Sequence, residues 1–397
     1  MKKILIFTST RAEYGLLKWI IKKLSSKFII LVTAGGTHLS HEDGYTIREI
    51  IHDKIKNVIE LPFLLSSRDK TSLTISVGNG LIQMAQIFRI NKPDYTVILG
   101  DRYELYIPAI TSLLFNVPIV HLHGGEITEG VIDEQIRHAI TKMAHIHMPS
   151  TEFYAKNISR MGEEDWRIHI VGAPGLENAA RERLFSIDEI KKKIGINLKK
   201  PSILCTYHAV TLESLNKTTH QIRNIINALN KFSDLQIIFT RPSAEVGSEI
   251  IARNIKDAVE KHKNKWFYFD SLGIKTYQSI LKYAKALVGN SSSGIIETSI
   301  FKIPAVDIGN RQRGRFKPKN VIHCGYSKNE IITAFEKAFY NESFKNGIVS
   351  IKSPYGDGKT SQYVLESFNN VVNIPSEKIL KKKLDFDIKE DAWKRYF

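Results

Sequence analysis

The sequence predicts a two-domain α/β protein in which parallel sheets are covered on both faces by helices. Short β-rich apolar runs alternate with longer stretches of helical period throughout the chain, the mark of a doubly wound parallel sheet. The alternation breaks after VGAPGLEN (171–178) and a charged stretch to Lys200, then restarts. At 397 residues the chain also exceeds the size at which one hydrophobic core usually stops growing, so about two domains are expected.

In the first half the expected strands are ILIFT (4–8), FIILVT (28–33), NVIELPF (57–63), YTVILG (95–100), VPIVHLH (117–123), HIHMP (145–149) and RIHIVG (167–172). Helical periods such as LLKWIIKKL, the segment 72–90 and DEQIRHAITKMA fill the gaps. After the restart SILCTYH, LQIIFTRP, WFYFD, ALVGN and PAVDIGN read as strands of a second domain. Linker and ligand cleft are expected near residues 173–200.

Bulk properties exclude several classes. No apolar run approaches the roughly 18 to 20 residues of a membrane span. The apolar start ILIF (4–7) is followed by Arg11 and Glu13, which suits a first strand better than a signal peptide and predicts a cytoplasmic protein with no membrane partner. Cys205 and Cys324 are the only cysteines; two distant thiols support neither a disulfide framework nor a zinc site, so no metal is expected. The net charge of +16 favours anionic partners. Its lysines are spread along helical segments, and the densest cluster, KKK (381–383), is followed closely by acids. A solvated surface, not a nucleic-acid patch, is the expectation.

Ligands of such sheets sit beyond the carboxyl ends of the strands. There the chain carries STRAEYG, TAGGTH, GDRYE, HLHGGEITEG, TYHAVT, TRPSAEVG, GNSSSGIIE and GNRQRGR. GNSSSGIIE, with Ser291, Ser292, Ser293, Gly294 and Glu297, offers hydroxyls and free backbone N–H groups at the start of a helix, an anion site; one serine would suffice for a plain cap. Arg311, Arg313 and Arg315 of GNRQRGR suit phosphate oxygens or a solvated loop equally. Neither a P-loop nor a dinucleotide fingerprint is present. A nucleoside diphosphate held between two domains fits better, with the acids of the first domain facing its other half.

Asp101 and Arg102 follow YTVILG directly, either as a cap or as a carboxylate held beside a ligand. In the helix that follows HGGE, Ile132, Ile136, Ala139, Ile140 and Met143 form an apolar stripe, while Asp133 with Arg137 and Glu134 with His138 are i,i+4 neighbours. Surface salt bridges are the plain reading. The two glycines before Glu126 are expected to let the backbone approach a ligand. His208, after SILCTY, would complement a phosphate or protonate a leaving oxygen.

Taken in order, STRAEYG, GTH, GDR, HGGE, IDEQIRHAITK, YHAVT, GNSSSGI and GNRQRGR resemble the hydrolysing UDP-N-acetylglucosamine 2-epimerases of bacterial sialic- and legionaminic-acid biosynthesis, over roughly residues 4–315. The resemblance implies a glycosyltransferase-B-like fold of two Rossmann-like domains, 1–173 and 174–374, with 375–397 (LDFDIKEDAWKRY among them) crossing back to the first. It implies anti elimination of UDP to a 2-acetamidoglucal, then hydration to N-acetylmannosamine, with no cofactor. Asp101 and Asp133 match the family's catalytic carboxylates and Arg137 its sugar- or phosphate-side arginine. His208 matches the histidine of the second domain, and Arg11 the arginine near the diphosphate; His38 of GTH, Arg102, Arg311 and the GNSSSGIIE residues join the substrate-binding set. Where many members have a catalytic glutamate this chain has His123, so either Glu126 or His123 takes that role. Ala209 stands where proline is usual.

The same reaction on UDP- or GDP-2,4-diacetamido-2,4,6-trideoxyglucose is the alternative substrate reading. A UDP-sugar-dependent glycosyltransferase and a non-catalytic nucleotide-sugar sensor are the alternatives of other classes, since fold does not dictate function. By analogy a homo-oligomer, dimer or tetramer, is expected.

Overall fold

The computed structural model describes residues 1–67, 69–128, 132–210, 213–242 and 247–385. Most of LDFDIKEDAWKRY, residues 243–246 of TRPSAEVG, Thr211 of TYHAVT and the last two residues of HLHGGEITEG lie outside the described residues. The chain divides into two compact units: Met1–Glu126 with Asp133–Pro174 and the chain from Lys359 onward, and Gly175–Gly358 with a short stretch beginning at Ile127. The return to the first unit thus begins at Lys359, ahead of Pro375.

The first unit is a parallel sheet of β1 (Lys3–Thr8), β2 (Ile29–Gly35), β3 (Val58–Leu61), β4 (Tyr95–Leu99), β5 (Ile119–Leu122) and β6 (Ile146–Met148), ordered β3-β2-β1-β4-β5-β6. Strand alternation feeds two cores. Ile4 and Ile6 of β1 join Leu17, Ile20, Ile21 and Phe368 on one face; Leu5 and Phe7 join Met84, Phe88, Ile107, Ile136 and Ile140 on the other. RIHIVG does not form the expected seventh strand. Ile168 makes one isolated bridge to His147, His169 and Val171 donate to the carbonyls of His147 and Pro149, and then Gly172 turns the chain (φ 81°) into the helix Pro174–Arg181.

The returning chain adds the helix Thr360–Val371, whose Phe368 packs on Phe28 and Tyr95, and the short helix Ser376–Leu380. Buried Arg167 donates to the carbonyls of Ile379 (2.8 Å) and Lys381 (3.0 Å). Lys382, expected on a solvated surface, instead bonds Glu163 (2.7 Å) and the carbonyls of Lys142 and Ala144. It caps the end of the helix Ile132–Met143, where orphan carbonyls favour a cation.

The second unit repeats the plan with β7 (Ser202–Thr206), β8 (Gln236–Thr240), β9 (Trp266–Phe269), β10 (Ala286–Gly289), β11 (Ala305–Ile308) and β12 (Val321–Cys324). Its order, β9-β8-β7-β10-β11-β12, is that of the first unit, so both Rossmann-like halves expected from the sequence are present. The edge strand β12 was not foreseen: VIHC is short and puts exposed His323 among its apolar residues. Cys205 and Cys324 are buried and free. Among the described residues no helix is long and apolar enough to cross a membrane. Strand order reverses between β1 and β4 and between β7 and β10, and the loops leaving those strands are where such sheets bind ligands.

Candidate active site

In the first unit the switch-point loops hold Ser9–Arg11 after β1 and Gly100–Arg102 after β4. Thr10 caps the helix Arg11–Leu24 in a capping box with Glu13, whose carboxylate accepts from Ser9 N (2.7 Å), Ser9 Oγ (2.9 Å) and Thr10 N (3.2 Å). Burial pushes the Glu13 carboxyl up to about 7, with Arg102 opposing and Glu104 reinforcing the rise. Arg102 lies 2.7 Å from buried Glu104 and 3.9 Å from Glu13. Arg11 is half exposed and pairs with Glu49 (2.8 Å). His38 points inward: its ring is fully buried between Thr8 Oγ1 (3.0 Å) and Thr46 Oγ1 (2.8 Å), and burial lowers its pKa to about 4. The ring is neutral, with both nitrogens engaged, and holds this loop from its inner side.

The densest chemistry follows β5. Arg137, on the second turn of the helix Ile132–Met143, is 1% exposed. Its guanidinium forms an ion pair with Asp101, lies 3.5 Å from Glu134 and donates to the main-chain oxygen of Glu126 (2.9 Å). A surface salt bridge is therefore the wrong picture for Arg137. Ile132, expected on the apolar stripe, is 68% exposed, and Asp133 beside it is half-buried. His138 bonds Glu134 (3.0 Å).

His123 occupies the left-handed region (φ 62°), sparsely populated for a residue with a Cβ and often found at functional sites. Its Nδ1 is 2.5 Å from Glu126 Oε1, which also accepts from Ser150 Oγ (2.9 Å). His123 Nε2 is buried and has no partner among the described residues. The two glycines between them serve packing. A Cβ on Gly124 would lie 2.9 Å from His121 Nδ1, and one on Gly125 2.5 Å from the Tyr154 carbonyl oxygen. At both glycines the place of a Cβ is thus taken by protein atoms.

In the second unit Asn290 ties the two switch-point loops together. Its Oδ1 accepts from His208 N (2.7 Å), its Nδ2 donates to His208 O (2.9 Å), and its own carbonyl accepts from Gln312 Nε2 (2.9 Å) and Arg311 Nη1 (3.4 Å). Burial, with Arg311 nearby, lowers the His208 pKa to about 3. Gly289 has φ 136°, and a Cβ there would lie 1.9 Å from the Thr206 oxygen. The expected helix after GNSSSG is a single turn, Ser293–Ile296, followed by Thr298–Phe301. So short a helix has little macrodipole, and the polar side chains of this loop are chiefly its hydroxyls, with Arg311 of the loop after β11 reaching the Asn290 carbonyl. Ser291 Oγ accepts from Ser293 N (3.3 Å). Glu297, pushed up to about 7 by burial, lines a cavity of about 250 Å³ with Thr240, Gly273, Ile274, Tyr277 and Gln278.

Sequence reasoning missed Glu13, Ser150 and Asn290. Only Glu13 had a signal, the T-x-x-E capping box of TRAE.

The sequence model described as UDP-N-acetylglucosamine 2-epimerase matches residues 22–369. The chain belongs to this family. Among the epimerase relatives, a Campylobacter jejuni protein named GDP/UDP-N,N'-diacetylbacillosamine 2-epimerase (hydrolyzing) is 37% identical over 347 residues, covering 87% of this chain and 89% of that one. Polysialic acid biosynthesis protein P7 of Escherichia coli is 32% identical over 97% of this chain and 96% of its own. A crystal structure of UDP-GlcNAc 2-epimerase from Neisseria meningitidis bound to UDP-GlcNAc shares the fold at a TM-score of 0.79, with 15% identity, 93% of this chain and all of that chain covered. The family match spans both units, and the shared fold agrees with their two parallel sheets.

Proposed function

We propose that this chain is a hydrolysing 2-epimerase converting UDP-N-acetylglucosamine and water to N-acetylmannosamine and UDP. The observation that carries the reading is the linked set after β4 and β5: Asp101 paired with buried Arg137, Arg137 bonded to the Glu126 backbone, and Glu126 bonded to His123. The reaction needs such a set. A base takes the C2 proton while the C1–O bond breaks and its electron pair leaves with UDP, forming the glucal. Water then adds its oxygen at C1, and a proton reaches C2 from the opposite face.

Asp101 and Asp133 are the carboxylates of this scheme and Arg137 orients Asp101. His123, held through Nδ1 by Glu126, presents Nε2 for proton transfer, a job suited to imidazole. Glu126 is then the orienting carboxylate and His123 replaces the glutamate usual at that position. In the second unit His208, Arg311, Ser291, Ser292, Ser293 and Gly294 recognise the diphosphate and Glu297 the nucleoside. Arg11, Arg102 and His38 complete the substrate-side proposal, His38 from behind the loop. A cytoplasmic location and a homo-oligomer belong to the same reading; exposed Ile75, Ile82 and Ile90 along the helix Lys70–Asn91 support a self-association face.

A second substrate has specific support: the relatives at 37% and 32% identity from Campylobacter jejuni and Legionella pneumophila are named for N,N'-diacetylbacillosamine. Incubating the protein with each nucleotide sugar, without acceptor, and identifying products by NMR tests both. Release of the free 2-epimeric sugar supports the reading; an unchanged nucleotide sugar in every case refutes it and returns the transferase and sensor alternatives.

A further inference from the structure

His121, in β5 and fully buried, has no part in the proton transfers or ligand contacts above. Its Nε2 lies 2.8 Å from the carbonyl oxygen of Gly100, the residue before Asp101. Its Nδ1 lies 3.4 Å from the hydroxyl of Thr141, one helical turn beyond Arg137. A carbonyl only accepts, so the ring proton is on Nε2. Burial lowers the ring pKa to about 3, although the Gly100 bond opposes this. The ring is therefore neutral and Nδ1 is an acceptor. The single Thr141 hydrogen is shared between that nitrogen and the carbonyl of Arg137, 2.9 Å away.

Two glycines are fitted to this contact. Gly124 has no Cβ where one would stand 2.9 Å from His121 Nδ1 and 3.1 Å from Thr141 Oγ1. Gly100 takes φ 90°, a turn that leaves its carbonyl facing the ring. One side chain thus touches both the turn that carries Asp101 and the helix that carries Arg137.

We propose that His121 is a positioning residue: it braces the Gly100–Asp101 turn against the helix Ile132–Met143 and so sets the geometry of the Asp101–Arg137 pair. Its kinetic consequence rests on the epimerase reading. Misplacing a reacting group by about 1 Å can cost about 100-fold in rate, whereas a residue that touches no substrate leaves ground-state binding nearly unchanged.

The test compares His121→Ala and His121→Gln in the full chain, glutamine being able to return an N–H toward the Gly100 carbonyl. Expected for His121→Ala is a kcat about 10- to 100-fold lower with KM within about threefold of wild type, and for His121→Gln recovery of most of that loss. Nitrogen-15 NMR of labelled histidine should show one neutral Nε2–H ring, absent in both variants, that does not titrate between about pH 5 and 8. A His121→Ala kcat within about threefold of wild type, a glutamine variant no better than alanine, or a titrating His121 would overturn the proposal. If wild type turns over neither nucleotide sugar, the reaction reading has failed, and the crystal structure of His121→Ala decides the brace alone: an unmoved Asp101–Arg137 pair refutes it, a displaced pair upholds it.

Discussion

Replacing Glu163 with glutamine probes how the returning chain is held to the first unit. The carboxylate is fully enclosed and bonds Lys142 (2.5 Å), His147 (2.9 Å) and Lys382 (2.7 Å). Burial alone would raise its pKa, but the bonds from His147, Lys142 and Lys382 more than reverse that and bring it from 4.5 to about 2. At about 1.4 kcal/mol per pKa unit this displacement is worth about 3 kcal/mol. Summing three charge-assisted bonds would suggest more, about 5 to 9 kcal/mol. The smaller figure is expected, because Lys142 is 38% exposed and rehydrates, and Lys382 keeps the carbonyls of Lys142 and Ala144.

A carboxyl whose folded pKa is depressed stabilises above its unfolded value and loses that contribution as pH falls toward the folded one. The wild-type advantage over Glu163→Gln should therefore be about 3 kcal/mol at pH 7 and about 2 kcal/mol at pH 3.5. Urea unfolding followed by tryptophan fluorescence reads it, since Trp166 lies 4.1 Å from the Arg167 guanidinium that holds the returning chain. A difference below about 1 kcal/mol at pH 7, or one that does not shrink at pH 3.5, refutes the reasoning.

Asp101→Asn should lower the rate of UDP release by about 10² to 10⁴ with only modest loss of stability, since Arg137 keeps Glu134 and the Glu126 carbonyl; a coupled UDP assay beside a thermal melt separates the two effects. His123→Ala should cost about 10² to 10⁴ in rate and Glu126→Gln less, because it only orients; NMR of glucal formation and of glucal hydration measures each step, and a larger loss in Glu126→Gln reverses the assignment. Gly289→Ala should destabilise the second unit by about 3 kcal/mol or more, since its Cβ would stand 1.9 Å from the Thr206 oxygen at φ 136°; an unchanged melting temperature would contradict that contact.

Much of the fold was legible because buried parallel strands demand apolar runs of the right length and crossover helices demand a 3.6-residue period. Strands β1 to β11 rose from such runs. RIHIVG failed because alternation alone does not provide a second paired neighbour, and Gly172 turns the chain away. VIHC carries no comparable signal, being four residues long with exposed His323 among its apolar positions. Within the site, Asp101, His123 and Glu126 were legible as ionisable groups after strand ends and Arg137 by its helical spacing from Asp133, and the structure links Asp101, Arg137, Glu126 and His123 by hydrogen bonds and ion pairs. His38 stood at a comparable strand end, yet its ring turned inward between two threonines.

By itself the sequence determined the two repeats, the strand ends on which polar groups gather, and the family, because these depend on local period and motif order. Tertiary structure decided which of those polar groups meet. It set the glycines of HGGE close against His121 and Ile158, buried Arg137, and drew Lys382 out of an apparently solvated lysine run onto the end of the helix that carries Asp133. Those outcomes depend on contacts between residues far apart in the chain, where burial decides whether a charge is solvated, paired or neutral.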